Sequence, residues 1–237
     1  MQQLTVRDVA AIFRVPESHV YKWAHDEDLP SRQVGGRTYF DRTELLEWAG
    51  LHRIPFDVGL VNGKNNEGPP EETLAGALAT GGLIQGVEGS TKAEVFAALV
   101  RRLNLPDGAD RGAVEELLMA RESVGSTAVG DGIAIPHPRQ PLVLGGFGCP
   151  SLTICQLAAP LAFDAPDGLP VQTLFVLISP TIRSHLRVLA RLSRALQEPS
   201  LRQALKRRAP LEQLAEELRR VDESSSPTSA VTAGEPA

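Results

Sequence analysis

From Asp57 to Glu72 the chain reads DVGLVNGKNNEGPPEE, rich in Gly, Asn and Pro and poor in large apolar side chains. Such a stretch buries too little to offset the entropy of ordering it. No single core can run through it. It divides the 237 residues into two folding parts, 1–53 and 73–221, joined by a flexible linker over 54–72. A second break follows Val221, where the ending ESSSPTSAVTAGEPA is small and polar. Residues 222–237 are therefore expected to form a disordered tail. No repeat of solenoid length is present.

Composition excludes several classes. A formal charge of −5 excludes a protein that coats nucleic acid through bulk positive charge, so any DNA contact must be local. Two cysteines, Cys149 and Cys155, make no disulfide framework and have no histidine at zinc-ligand spacing. Reduced thiols and no metal are expected. No apolar run approaches the ~20 residues of a membrane span, and the opening residues lead into polar sequence rather than a signal-peptide core. The expectation is a soluble cytoplasmic protein without a membrane span.

The first part carries both tryptophans and both tyrosines. Thr5 with Asp8 three residues on is a capping pattern, and Val6, Val9, Ala10 and Phe13 give a short amphipathic helix. Pro16 ends it. A second helix follows from Glu17 or Ser18 to Asp26, with Val20, Trp23 and Ala24 inward. Ser31 to Phe40 then reads as two short strands around Gly35-Gly36, a pair suited to a primed hairpin turn. Asp41 opens a third helix, with Leu45, Leu46 and Trp48 facing the core.

The runs LTVRDVAAIFRVPESHVYKW, LPSRQVGGRTYF and DRTELLEW together resemble the MerR-like and phage-excisionase-like winged helix-turn-helix domains. That resemblance implies double-stranded DNA as a partner. Ser18, Tyr21 and Lys22 on the second helix, with Arg32 and Arg37 on the wing, are the candidate contacts. Against it, seven basic and eight acidic side chains leave residues 1–53 at −1, whereas phosphate-binding surfaces are usually basic. A protein-contact or vestigial role is the alternative.

The second part reads as helices around strands. A helix is expected from Glu71 to Ala79, a strand over Leu83–Val87, a helix capped by Ser90 or Thr91 through Leu103, and another from Asp110 through Arg121. Ile133-Ala134-Ile135 looks like a buried strand end. Gly130 and Gly132 allow turns there that β-branched residues resist. Pro136 then fixes the chain direction and presents His137 at a strand-to-loop junction. Helices over Pro180–Leu196, Ser200–Lys206 and Pro210–Val221 close this part, with a band of arginines and lysines from Arg183 to Arg208.

The stretch from Arg121 to His137, ending in Ala-Ile-Pro-His, resembles the phosphorylation-site motif of the type-2 enzyme IIA domains of the bacterial phosphoenolpyruvate-dependent phosphotransferase system. These are the fructose and mannitol group, which includes the nitrogen-regulatory branch. Phe163–Val171, Leu174–Pro180 and His185–Leu192 match the family's later motifs in order. The resemblance implies an α/β fold, a mixed sheet flanked by helices, with the small winged helix-turn-helix domain in front of it. It implies that His137 accepts a phosphoryl group from an HPr-type phosphocarrier, with His185 and Arg121 as the other active-site residues. Thr127 and Arg139 are further candidate phosphate contacts. No cofactor is expected, the phosphoryl group coming from phosphoenolpyruvate through HPr.

The chemistry stands without the name. An imidazole with an ordinary pKa of about 6.5 is largely neutral and nucleophilic near neutrality. Phosphoryl transfer asks the protein mainly for positioning and charge stabilisation, which a guanidinium supplies with paired hydrogen bonds. One departure is Pro138, where the family usually has a small residue; proline removes a backbone N–H that would otherwise face the phosphate. The leading reading is a regulatory phosphocarrier linked to a DNA or protein output, with an enzyme IIB or a regulatory target as recipient. The alternatives are a sugar-uptake phosphoryl donor with a vestigial winged helix, and a transcriptional regulator with a non-catalytic enzyme IIA-like domain.

Overall fold

The computed structural model describes residues 3–26, 29–34, 36–52, 54, 72–139, 142 and 148–225. The linker expected over 54–72 lies outside the described residues except at its two ends, and the tail does so from residue 226.

The N-terminal part comprises β1 (Gln3–Thr5), α1 (Val6–Phe13), α2 (Glu17–Asp26), β2 (Arg32–Val34), β3 (Arg37–Asp41) and α3 (Arg42–Leu51). The Thr5 hydroxyl accepts from the Asp8 N–H at 3.3 Å and the Asp8 carboxylate accepts from the Thr5 N–H at 2.8 Å, closing the expected capping box. Those bonds to Thr5 favour the ionised carboxylate and hold Asp8 below its usual range. The hairpin pairs Val34 with Arg37, and Gly36 has φ +75°. Gln3–Thr5, not anticipated as a strand, pairs with β3 and makes the wing three-stranded. Trp23 joins the helices, its ring 5.5 Å from Phe13 and 5.4 Å from Trp48.

The C-terminal part is built on a five-stranded mixed sheet in the order β4-β7-β8-β6-β5. The strands are β4 (Gly82–Val87), β5 (Ala128–Gly130), β6 (Ile133–Ala134), β7 (Ser151–Leu161) and β8 (Val171–Ile178). Around them lie α4 (Leu74–Gly81), α5 (Lys92–Arg102), α6 (Arg111–Val124), α7 (Ile182–Ala195), α8 (Pro199–Lys206) and α9 (Leu211–Ser225). Strand alternation sorts the core into two layers. Phe175 and Leu177 of β8 meet α4, α7, α8 and α9, whereas Leu174, Val176 and Ile178 meet α5 and α6. Ile133 and Ile135 share the first layer with Val188 and Leu189 of α7. That parity carries His137 toward α7.

Several boundaries differ from the sequence reading. The first helix of this part begins at Leu74, because Thr73 caps it and accepts from the Gly76 N–H at 3.0 Å. The helix expected to stop at Arg121 runs to Val124. The last helix continues to Ser225 rather than yielding to the tail at Asp222. Asp222 is buried there because its carboxylate accepts the N–H groups of Leu74 and Ala75 at 3.0 and 3.1 Å. No strand was anticipated over Ser151–Leu161, which is the longest in the sheet. Its first seven residues are all buried, so no polar alternation marks them.

The two parts are not separate in space. Helix α3 packs against α7, and Leu186 of α7 is buried in the same cluster as Val6, Phe13, Leu45 and Trp48. Burying a leucine in this way is worth about 1.5–3 kcal/mol.

Candidate functional site

His137 leaves the sheet just past β6. The Ile135 N–H donates to the Thr127 carbonyl at 2.9 Å, and the Leu177 N–H donates to the Pro136 carbonyl at 3.0 Å. The backbone is thus pinned by Thr127, just before β5, and by β8 up to the residue before the imidazole. The turn between β5 and β6 has positive φ at Gly130, Asp131 and Gly132, as the glycines foretold. The His137 Nδ1 lies 2.7 Å from the Ile135 carbonyl oxygen. A carbonyl oxygen only accepts, so Nδ1 carries the proton and the ring's lone pair sits on Nε2.

His185 comes from the first turns of α7. Thr181 and Ser184 form a capping box at its N-terminus, with the Ser184 N–H donating to the Thr181 hydroxyl at 3.1 Å. The T-x-x-S spacing was readable in the sequence and fixes where His185 emerges. Its ring centroid lies 5.0 Å from that of His137. The positive end of a 14-residue helix therefore sits beside the candidate acceptor.

Arg121 is buried in the last turn of α6, and its Nη1 donates to the Gly125 carbonyl at 3.0 Å. It thus anchors the segment that runs into Thr127, the residue bonded to Ile135. The structure brings His137 and His185 together and places Arg121 on the neighbouring segment.

Two of the candidate phosphate contacts are engaged elsewhere. Thr127 is fully buried, and its hydroxyl donates to Glu122 Oε2 at 2.6 Å while its N–H donates to the same oxygen at 3.0 Å. A hydroxyl has one proton to give, and here Thr127 gives it to Glu122. Arg139 is half-exposed and ion-paired with Glu44 of α3. The backing network was missed in the sequence. Lys92 Nζ reaches Glu122 and Asp164 at 2.8 and 2.9 Å. Burial pulls the Lys92 ammonium down, but these carboxylates outweigh it and its pKa stands above the ordinary value. Glu122 adjoins Arg121 in sequence, and that adjacency was its only signal.

The arginine band is divided. Arg191 pairs with Asp222 at 3.2 Å, Arg202 with Asp131 at 3.1 Å, and Arg208 donates to the Leu157 carbonyl at 2.7 Å. These three brace the fold. On the other domain, Ser18, Tyr21, Lys22, Arg32 and Arg37 are all exposed, the Arg32 guanidinium 3.9 Å from Glu44.

Among the described residues no helix is long and apolar enough to cross a membrane. The family model described as "Phosphoenolpyruvate-dependent sugar phosphotransferase system, EIIA 2" matches residues 80–221, and one described as "Helix-turn-helix domain" matches residues 4–50. A nitrogen regulatory protein of Pseudomonas aeruginosa is 40% identical over 134 residues, covering 54% of this chain and 83% of its own. One from Bradyrhizobium diazoefficiens is 31% identical over 131 residues, with the same coverages. Among solved structures, a chain described as a PTS IIA domain from Streptococcus pyogenes superposes with a TM-score of 0.52 at 19% identity. That match covers 65% of this chain and 98% of the other, and it bears on the fold alone. With the Ala-Ile-Pro-His junction at the mouth of the mixed sheet, these matches show that the chain belongs to the phosphotransferase-system EIIA type-2 family, with a helix-turn-helix domain N-terminal to it.

Proposed function

We propose that this protein is a regulatory phosphocarrier that takes a phosphoryl group from an HPr-type protein onto His137 Nε2 and links that state to a DNA or protein output. The observation that carries the reading is the 2.7 Å contact from Nδ1 to the Ile135 carbonyl. It fixes one tautomer and leaves the lone pair on the nitrogen that must attack. In the step, the N–P bond of the donor phosphohistidine breaks as a bond forms from Nε2 to phosphorus. The donor imidazole leaves with the electron pair, and the proton stays on Nδ1, hydrogen-bonded to the Ile135 carbonyl oxygen, which steadies the positive charge the ring acquires.

Little covalent assistance is needed because the transition state is loose, so positioning and charge dominate. His185 and the amino end of α7 face the developing negative charge. Arg121 supplies a buried cation that holds the Gly125–Thr127 segment and the phosphoryl oxygens' surroundings. The phosphoryl group comes ultimately from phosphoenolpyruvate, and the chain needs no cofactor of its own. The nitrogen regulatory relatives support a regulatory role over dedicated sugar uptake. The recipient is an enzyme IIB or a regulatory target protein, and the winged helix offers Ser18, Tyr21, Lys22, Arg32 and Arg37 to duplex DNA.

The test is incubation with phosphoenolpyruvate, enzyme I and HPr, with the label mapped by mass spectrometry. His137 takes the label and His137→Ala does not. Arg121→Ala slows labelling about 10²-fold. Equal labelling of wild type and His137→Ala removes His137 from this role.

A further inference from the structure

His137 is 0% exposed, the following Pro138 is buried, and His185 is 6% exposed. A phosphohistidine on a second protein cannot bring its phosphorus to bonding distance of a nitrogen so enclosed. Two contacts with the N-terminal domain flank it. On one side Leu186, next to His185, is buried in the hydrophobic cluster of the N-terminal domain. On the other side Arg139, two residues past His137, is ion-paired with Glu44 in the first turn of α3. Helix α3 packs against α7 and so bridges the strip between these two anchors.

We infer that α3 occupies the same face of the C-terminal domain that the incoming phosphocarrier must use, so that the docked arrangement withholds His137 from its donor. The identity of the excluded partner rests on the reading of His137 as acceptor; the occlusion itself does not. Residues 55–71 span at most about 60 Å when extended, which lets the N-terminal domain leave the face without breaking the chain. The Glu44 carboxylate stands where an arriving anion would meet Arg139. A phosphoryl group on His137 competes with Glu44 for that guanidinium, so docking and phosphorylation oppose one another, each weakening the other by the same factor. The recognition face of α2 is exposed in the docked arrangement, so occlusion acts on phosphoryl transfer rather than on the DNA surface.

Two full-length variants test this: Leu186→Gln, which removes the apolar anchor, and Glu44→Lys, which sets a cation against Arg139 and Arg32. Leu186 lies on the surface of the C-terminal domain once the domains part, so its replacement is tolerated there. The first readout is carbethoxylation of His137 by diethyl pyrocarbonate, resolved by peptide mass spectrometry, with exposed His19, His25 and His52 as internal standards. Reactivity through a minor open form scales with its population. His137 is expected to react slowly in the wild type and about tenfold faster in both variants. Equal rates in all three proteins, with the standards unchanged, overturn the inference. The second readout is phosphoryl labelling by enzyme I and HPr, expected to accelerate in parallel. Faster carbethoxylation with no phosphoryl label in any protein upholds the occlusion and sinks only the acceptor reading. Unchanged carbethoxylation with normal labelling does the reverse.

Discussion

The two cysteines show how far environment overrides residue type. Cys149 is exposed beside the start of β7, whereas Cys155 is buried within that strand. Burial pushes the Cys155 thiol up to about 12, so almost none of it is thiolate at any pH the fold experiences, and thiolate is the reacting species. Iodoacetamide at about pH 8.5 is expected to alkylate Cys149 in the native protein and Cys155 only after denaturation, as read by peptide mass spectrometry. Native alkylation of both at similar rates refutes the buried placement. His137 differs from Cys155 in being legible beforehand. Its significance came from a contiguous run of residues, and the strand parity of Ile133 and Ile135 then aimed it at α7. Thr127 was not legible in the same way, because its partner Glu122 lies back along α6, and only a folded turn brings the two within 2.6 Å.

At the scale of elements, α4 depends on a residue from the far end of the domain. Asp222 accepts from the Leu74 and Ala75 N–H groups and pairs with Arg191, so one carboxylate ties α4, α7 and α9 together. Replacing it by alanine leaves two helix N-terminal donors and a guanidinium without that acceptor. Asp222→Ala is expected to cost about 2–4 kcal/mol in denaturant unfolding, and Asp222→Asn less. A loss under about 0.5 kcal/mol would show that the cap contributes nothing. At its other end α4 lies so close to β7 that a Cβ on Gly81 would stand 2.3 Å from the Leu152 carbonyl oxygen. The amphipathic helices and their caps were readable because their signals lie within a few residues of one another. β7 was not, because a strand buried on both faces has no period-2 contrast, and Pro160 near its end argues against a strand.

At the scale of the whole molecule, two cores built from separate stretches of chain meet through α3 and α7. Ser18, Tyr21 and Lys22 of α2 remain exposed. With a net charge of −5 overall, the proposed duplex binding must come from a few local contacts and be sensitive to salt. In a salt-titrated fluorescence assay with duplex DNA, Lys22→Ala and Arg37→Ala are each expected to weaken binding across sequences and lower the salt slope by about 1. No binding at low salt would leave the N-terminal domain as a protein-contact module, with docking on α7 as its evident contact.

The sequence by itself determined the amphipathic helices and their caps, the hairpin of the N-terminal part and the strand-end position of His137. Each of these is written in residues that are near neighbours along the chain. The tertiary structure alone decided the contact of His137 Nδ1 with the Ile135 carbonyl, the pairing of Thr127 with Glu122 and of Arg139 with Glu44, the course of β7 and the packing of α3 against α7. Those outcomes depend on pairs such as Glu44 with Arg139 and Leu74 with Asp222, which come together only through long-range packing. Neither member of such a pair has a local pattern that names the other.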